Sequence, residues 1–148
     1  MKISFWQRFL AFTLSFWGGI VVALFLLKAV NAFCFSPYHF WAWFLDEIHY
    51  DVFPVALAEL FRSPIMGLLF ALLGSRKFNL RALIRFGAVC GGASYIVADA
   101  FNLAGFASWN LAPYFRQPLV VEYIILGLPI VLILLSRFEA PGKTEVSV

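Results

Sequence analysis

The feature that most constrains this chain is a run of nineteen residues, positions 9–27, that contains no charged side chain. A helix rises about 1.5 Å per residue, so about 20 apolar residues cross the hydrocarbon core of a bilayer. Three later segments are nearly as apolar, and 63% of the chain is hydrophobic against 13% charged. A backbone inside lipid must satisfy its own hydrogen bonds, which favours helices. The sequence therefore predicts an all-α integral membrane protein.

The predicted fold is a four-transmembrane-helix bundle that forms a single membrane domain over residues 1–138. Each span is a segment of about 20 mostly apolar residues. The four helices are expected at about residues 9–33, 52–73, 86–107 and 118–136. The remaining residues, 139–148, are polar and contain Pro and Gly, and we expect them to form a disordered tail.

The first loop between spans is predicted to contain a short helix at about residues 38–50. Its apolar residues recur every three or four positions, as on one face of a helix. They are Pro37, Phe40, Trp41, Phe44, Leu45 and Ile48. Trp and Tyr favour the headgroup zone of a bilayer, so this helix is expected to lie in the outer interface.

The distribution of Lys and Arg predicts the orientation of the bundle. Eight of the eleven fall on one side of the predicted spans: Lys2, Arg8, Arg76, Lys77, Arg81, Arg85, Arg137 and Lys143. Short cytoplasmic loops carry an excess of basic residues. Both termini and the loop at residues 75–85 are therefore expected in the cytoplasm, and the membrane is expected to be a bacterial inner (plasma) membrane.

Several charged residues fall inside the predicted spans, where a charge costs about 2.5–3.5 kcal/mol on insertion scales. All lie between the midplane and the outer surface, and with Lys28 at the outer boundary their charges nearly cancel. Such groups are expected to face one another rather than lipid. The predicted buried polar cluster consists of Glu59, Arg62, Tyr95, Asp99, Asn102 and Glu122.

The cluster has three interpretations. It is a structural ion pair that fixes how the helices pack, or a contact for a partner subunit or lipid headgroup, or a catalytic or transport site. In the third case Asp99 and Glu59 are the candidate catalytic residues, because two carboxylates near Arg62 would differ in pKa and could exchange protons.

The sequence predicts no metal, cofactor or nucleic-acid site. Asp46 and His49 are three residues apart and could share an ion, but His39 lies about 10 Å away along the same helix. No metalloprotease or phosphate-binding motif occurs, and no His falls in a predicted span. The basic residues sit at helix ends rather than on an aromatic-bearing face, which argues against nucleic acid.

These observations favour a small non-catalytic membrane protein, an accessory, assembly or immunity-type subunit that acts through membrane-embedded contacts. Its expected partners are the lipid bilayer and another membrane subunit or a lipid headgroup. The alternative is a membrane-embedded enzyme, or a transporter of small solutes or lipids, with an outward-facing polar site built from Glu59, Arg62 and Asp99.

Overall fold

A computed structural model of the chain describes the backbone of residues 3–103 and 117–138, and the side chains of residues 3–100 and 126–138. The described part is helical throughout apart from short connections, which confirms the all-α prediction. Its five α-helices are α1 (Phe5–Phe35), α2 (Phe40–Glu47), α3 (Phe53–Leu73), α4 (Leu80–Leu103) and α5 (Gln117–Phe138).

Three helical segments of the described chain are long and apolar enough to cross a membrane, by length and composition. They are Phe5–Phe35, Pro37–Leu73 and Leu80–Ala100. The fourth predicted span corresponds to α5, of which the part with described side chains is the shorter apolar segment Leu126–Phe138. The predicted tail at residues 139–148 lies outside the described residues.

Helix α1 begins at Phe5, four residues before its predicted start, because Ser4 and Gln7 form a capping box. The Gln7 amide donates to Ser4 Oγ at 3.2 Å, and the Ser4 amide donates to Gln7 Oε1 at 2.9 Å. These bonds satisfy amides that have no partner inside the helix. The earlier start places Arg8 inside α1 rather than in a terminal segment.

The helix predicted at residues 38–50 is not separated from the span that follows it. A 3₁₀ turn (Pro37–His39), α2, a π-helical turn (Ile48–Val52) and α3 follow one another without a break. The π turn ends two residues before Pro54, which has no N–H to donate, and the Phe53 amide donates to the Ile48 carbonyl five residues back. Widening the helix by one residue keeps that amide bonded and the chain helical.

Helix α4 begins at Leu80, six residues before the predicted start. The side chain of Asn79 accepts a hydrogen bond from the Ala82 amide at 2.8 Å, so Asn79 acts as the N-cap. Arg81 and Arg85, predicted in a loop, therefore lie in the first turns of α4. The predicted end of this helix at residue 107 lies outside the described residues.

Helix α1 lies between α3 and α4, and glycines allow the close approach. A Cβ atom on Gly91 of α4 would overlap the Phe16 carbonyl of α1, and one on Gly19 would overlap the backbone of Ala88. On the other side, a Cβ on Gly67 of α3 would overlap the Thr13 hydroxyl. Small residues let membrane helices pack backbone against backbone.

The packed core lies where α1, α3 and α4 meet near one end of the bundle. The rings of Phe12 and Phe70 stack with centroids 4.5 Å apart, and Phe86 closes the group at 5.9 Å from Phe70. Helix α5 packs against α4 and α3 and contributes Ile133 to this core. The start of α1, the ends of α3 and α5 and the start of α4 thus meet at the same end.

Candidate functional site

Glu59 and Arg62 lie one turn apart on α3 and form the predicted ion pair. Arg62 Nη1 donates to Glu59 Oε1 at 3.2 Å, and the Glu59 residue is only 2% exposed. The Ser63 hydroxyl donates to the Glu59 carbonyl at 2.6 Å within the same turn. The Arg62 side chain is 37% exposed, so its charge reaches the surface of the bundle while its partner does not.

The other members of the predicted cluster lie on α4 and α5. Tyr95 and Asp99 stand one turn apart on α4, and Tyr95 is close enough to interact electrostatically with Asp99 and Glu59. The side chains of Asn102 and Glu122 lie outside the described part of the chain. The structure therefore brings Glu59, Arg62, Tyr95 and Asp99 into the same half of the bundle, and the complete six-residue cluster stays a prediction.

A second charged group joins α1 to the segment around α2. Lys28 Nζ lies 2.9 Å from Glu47 Oε2 and 2.7 Å from Asp51 Oδ2. The acids are four residues apart on the helical segment, so one ammonium reaches both. The sequence analysis counted Lys28 and Arg62 against Glu59, Asp99 and Glu122 in one charge balance, and the structure pairs Lys28 with two acids outside the predicted spans. We call Lys28, Glu47 and Asp51 the acidic clamp.

A cavity of about 170 Å³ lies beside the acidic clamp. Its lining includes Asp46, Glu47 and Asp51 together with the aromatic rings of Trp43 and Tyr50. No group of three or more His, Cys, Asp or Glu that could hold a metal ion occurs in residues 3–100 and 126–138. The candidates His39, Asp46 and His49 are thus not brought together, and the His49 ring instead packs edge-on against Tyr50 at 4.9 Å.

The opposite end of the bundle contains a buried arginine that sequence reasoning missed. Arg8 is 7% exposed, and its Nη2 donates to the carbonyls of Phe70, Gly74 and Ser75 at 3.2, 3.0 and 3.4 Å. Its guanidinium also lies 5.4 Å from the centroid of the Phe70 ring. Carbonyls at a helix C-terminus have no partner inside the helix and attract cations, so Arg8 caps α3 from α1.

A second arginine caps the same helix from α5. Arg137 donates through Nε to the Leu73 carbonyl, and the Ser136 hydroxyl accepts from the Ser75 amide at 3.4 Å. Two helices therefore hold the C-terminus of α3 with cationic side chains. We call the end of the bundle that contains Arg8, Arg76, Lys77 and Arg137 the basic end.

Two of these features have recognisable patterns in the sequence. The spacing Ser4-x-x-Gln7 is a capping-box pattern, and it would have placed Arg8 within the first helical turns. Glu47 and Asp51 are four residues apart, so on a helix their carboxylates lie on one face and can share one cation. The identity of that cation depends on how α1 packs, which no local pattern reveals.

No protein-family model matches the chain, and no curated protein or solved structure matches it either. The function is therefore inferred from the geometry of this molecule alone.

Proposed function

We propose that the chain crosses a bacterial inner membrane four times, through α1, α3, α4 and α5, with the basic end in the cytoplasm. The positive-inside rule supports this orientation, because Arg8, Lys77 and Arg137 all belong to the same end. In this arrangement α2 lies in the outer interface and the ion pair of Glu59 and Arg62 lies within the membrane.

Within that membrane the protein acts as a non-catalytic accessory, assembly or immunity-type subunit that binds another membrane protein. The observation that carries this proposal is the surface of α2 and its flanks. Helix α2 has no buried residue, and the exposed fractions of Trp41, Tyr50 and Phe53 are 72%, 72% and 68%. Aromatic residues are enriched in protein interfaces, where they supply most of the binding energy.

The acidic clamp supports the same proposal, because it holds this aromatic surface in place. Lys28 ties Glu47 and Asp51 to α1, and the ring of Phe44 packs against Phe25 of α1 with centroids 6.1 Å apart. A surface that is ordered before binding loses less conformational entropy when a partner arrives.

The proposal is tested by photo-crosslinking in native membranes. A photoreactive amino acid at Trp41 is expected to give a discrete adduct with one membrane protein. The matched control is Leu14, which is 58% exposed on α1 and lies fourteen residues before Lys28. Equal adduct patterns at the two positions, or turnover of a substrate by the purified chain alone, would contradict an accessory role.

The second candidate is a membrane-embedded enzyme or a transporter of small solutes or lipids. The burial of Glu59 beside Arg62, with Tyr95 and Asp99 in the same half, supports it, since buried acids near a cation are suited to proton exchange. Glu59→Gln and Asp99→Asn would then abolish activity with expression and melting unchanged. Loss of folding in these variants would instead support a structural ion pair.

A further inference from the structure

The basic end contains a cavity of about 620 Å³, within the range of about 300–1,000 Å³ that is usual for small-ligand sites. Arg8, Arg76, Lys77 and Asn79 supply its polar lining, and Phe5 and Phe78 are among its apolar lining residues. We propose that this cavity binds the phosphate headgroup of an anionic phospholipid. Basic pockets between membrane helices are suited to such headgroups.

The charge balance of the described residues supports an anionic ligand here. Six Lys and Arg belong to this end: Arg8, Arg76, Lys77, Arg81, Arg85 and Arg137. The five acidic residues whose side chains are described, Asp46, Glu47, Asp51, Glu59 and Asp99, lie in the other half. Glu59, the nearest of them along α3, stands about 21 Å from Leu73 by helix rise.

The cations of this end differ in what they already bind. Arg8 Nη2 already donates to carbonyls at the C-terminus of α3, and the charges of Arg76 and Arg137 repel that of Arg8. Arg76 and Lys77 are exposed, and no carboxylate within residues 3–100 and 126–138 forms a salt bridge with them. These two are therefore placed to contact an incoming phosphate, and Arg8 adds positive potential behind it.

The apolar walls favour a lipid over free phosphate as the source of that group. Ile3, Phe5, Ala71 and Phe78 line the cavity together with its basic residues. A free phosphate ion gains nothing from such walls, whereas a phospholipid brings glycerol and acyl carbons that they can cover. The site thus combines basic and apolar lining residues at one end of the bundle.

The test is native mass spectrometry of the full-length protein in detergent with added phosphatidylglycerol or phosphatidylcholine. The variant Arg76→Gln/Lys77→Gln is compared with Arg81→Gln/Arg85→Gln, which removes the same charge from residues that do not line the cavity. We expect wild type and the control to retain phosphatidylglycerol in preference to phosphatidylcholine. The cavity variant should bind phosphatidylglycerol about tenfold more weakly or worse.

Equal weakening in the two double variants would overturn the proposal, because it would indicate a diffuse attraction to basic residues. Equal retention of phosphatidylcholine would overturn it too. An excess of inorganic phosphate should not displace the bound phosphatidylglycerol. Complete displacement would show that the site recognises the ion alone.

Discussion

The two ends of this bundle satisfy their cations in different ways. At one end Lys28 and Arg62 are paired with the carboxylates of Glu47, Asp51 and Glu59. At the other, Arg8 and Arg137 donate to backbone carbonyls at the C-terminus of α3. A carboxylate cancels the charge of its partner, whereas a helix C-terminus offers only about half an elementary charge. The carbonyl-capped end therefore stays positive.

Because of this difference, the cations at one end serve only packing, whereas those at the other end can also attract anions. The carboxylates neutralise Lys28 and Arg62, and the two Lys28 pairs also join α1 to the segment around α2. The basic end uses two arginines to cap α3 and still carries a net positive charge among its described residues. One type of side chain thus serves packing at one end, and at the other it serves packing and attraction together.

The largest effect is expected from removing the buried cap at the basic end. Arg8→Met should lower the free energy of unfolding by about 3 kcal/mol, because charged hydrogen bonds to several carbonyls are lost. Unfolding in mixed micelles with rising denaturant measures the change. Arg8→Lys should recover part of the loss. A change below about 1 kcal/mol would mean that the carbonyls find water instead.

A smaller effect is expected from the buried pair on α3. Glu59→Gln should cost about 1–2 kcal/mol, since the amide still accepts a hydrogen bond but no longer neutralises Arg62. The loss is moderate because the Arg62 side chain is 37% exposed and its long alkyl chain lets the charge extend toward the bilayer interface. The same unfolding titration measures it. Glu59→Gln as stable as wild type would place the role of Glu59 in binding or chemistry rather than in packing.

The smallest effect is expected at the acidic clamp. Lys28→Met should cost about 1 kcal/mol, because the pair with Asp51, whose side chain is 50% exposed, contributes little and the pair with Glu47, 19% exposed, contributes most of the loss. High salt should erase the difference between variant and wild type, since the screening length falls to about 3 Å at 1 M. Comparing the two unfolding curves at low and high salt tests this. A salt-independent loss would indicate that the alkyl chain of Lys28 matters more than its charge.

The sequence predicted the helical class and the apolar segments because bilayer solvation acts on long runs of residues. It placed the start of α4 too late, because the Asn79 cap starts the helix within a polar segment that average hydropathy assigns to a loop. It also predicted a break before residue 52 that the π-helical turn removes. Local bonds made by single residues decide these boundaries, and average hydropathy does not detect them.

The candidate sites divide in the same way. The pair of Glu59 and Arg62 was predictable because its members are three residues apart on one helix. The partners of Lys28 and the role of Arg8 were not, because each reaches another segment across the bundle. Contacts of that kind depend on helix packing, which the glycine contacts of α1 determine.

The proposed topology places the two ends on opposite sides of a membrane, with the basic end inside. It is tested by labelling single cysteines in intact cells with a membrane-impermeant thiol reagent, after replacing the native Cys34 and Cys90. Tyr38→Cys, at a position 96% exposed beside α2, should react at once. Lys77→Cys should react only after the cells are permeabilised. Labelling of Lys77→Cys in intact cells would contradict the account.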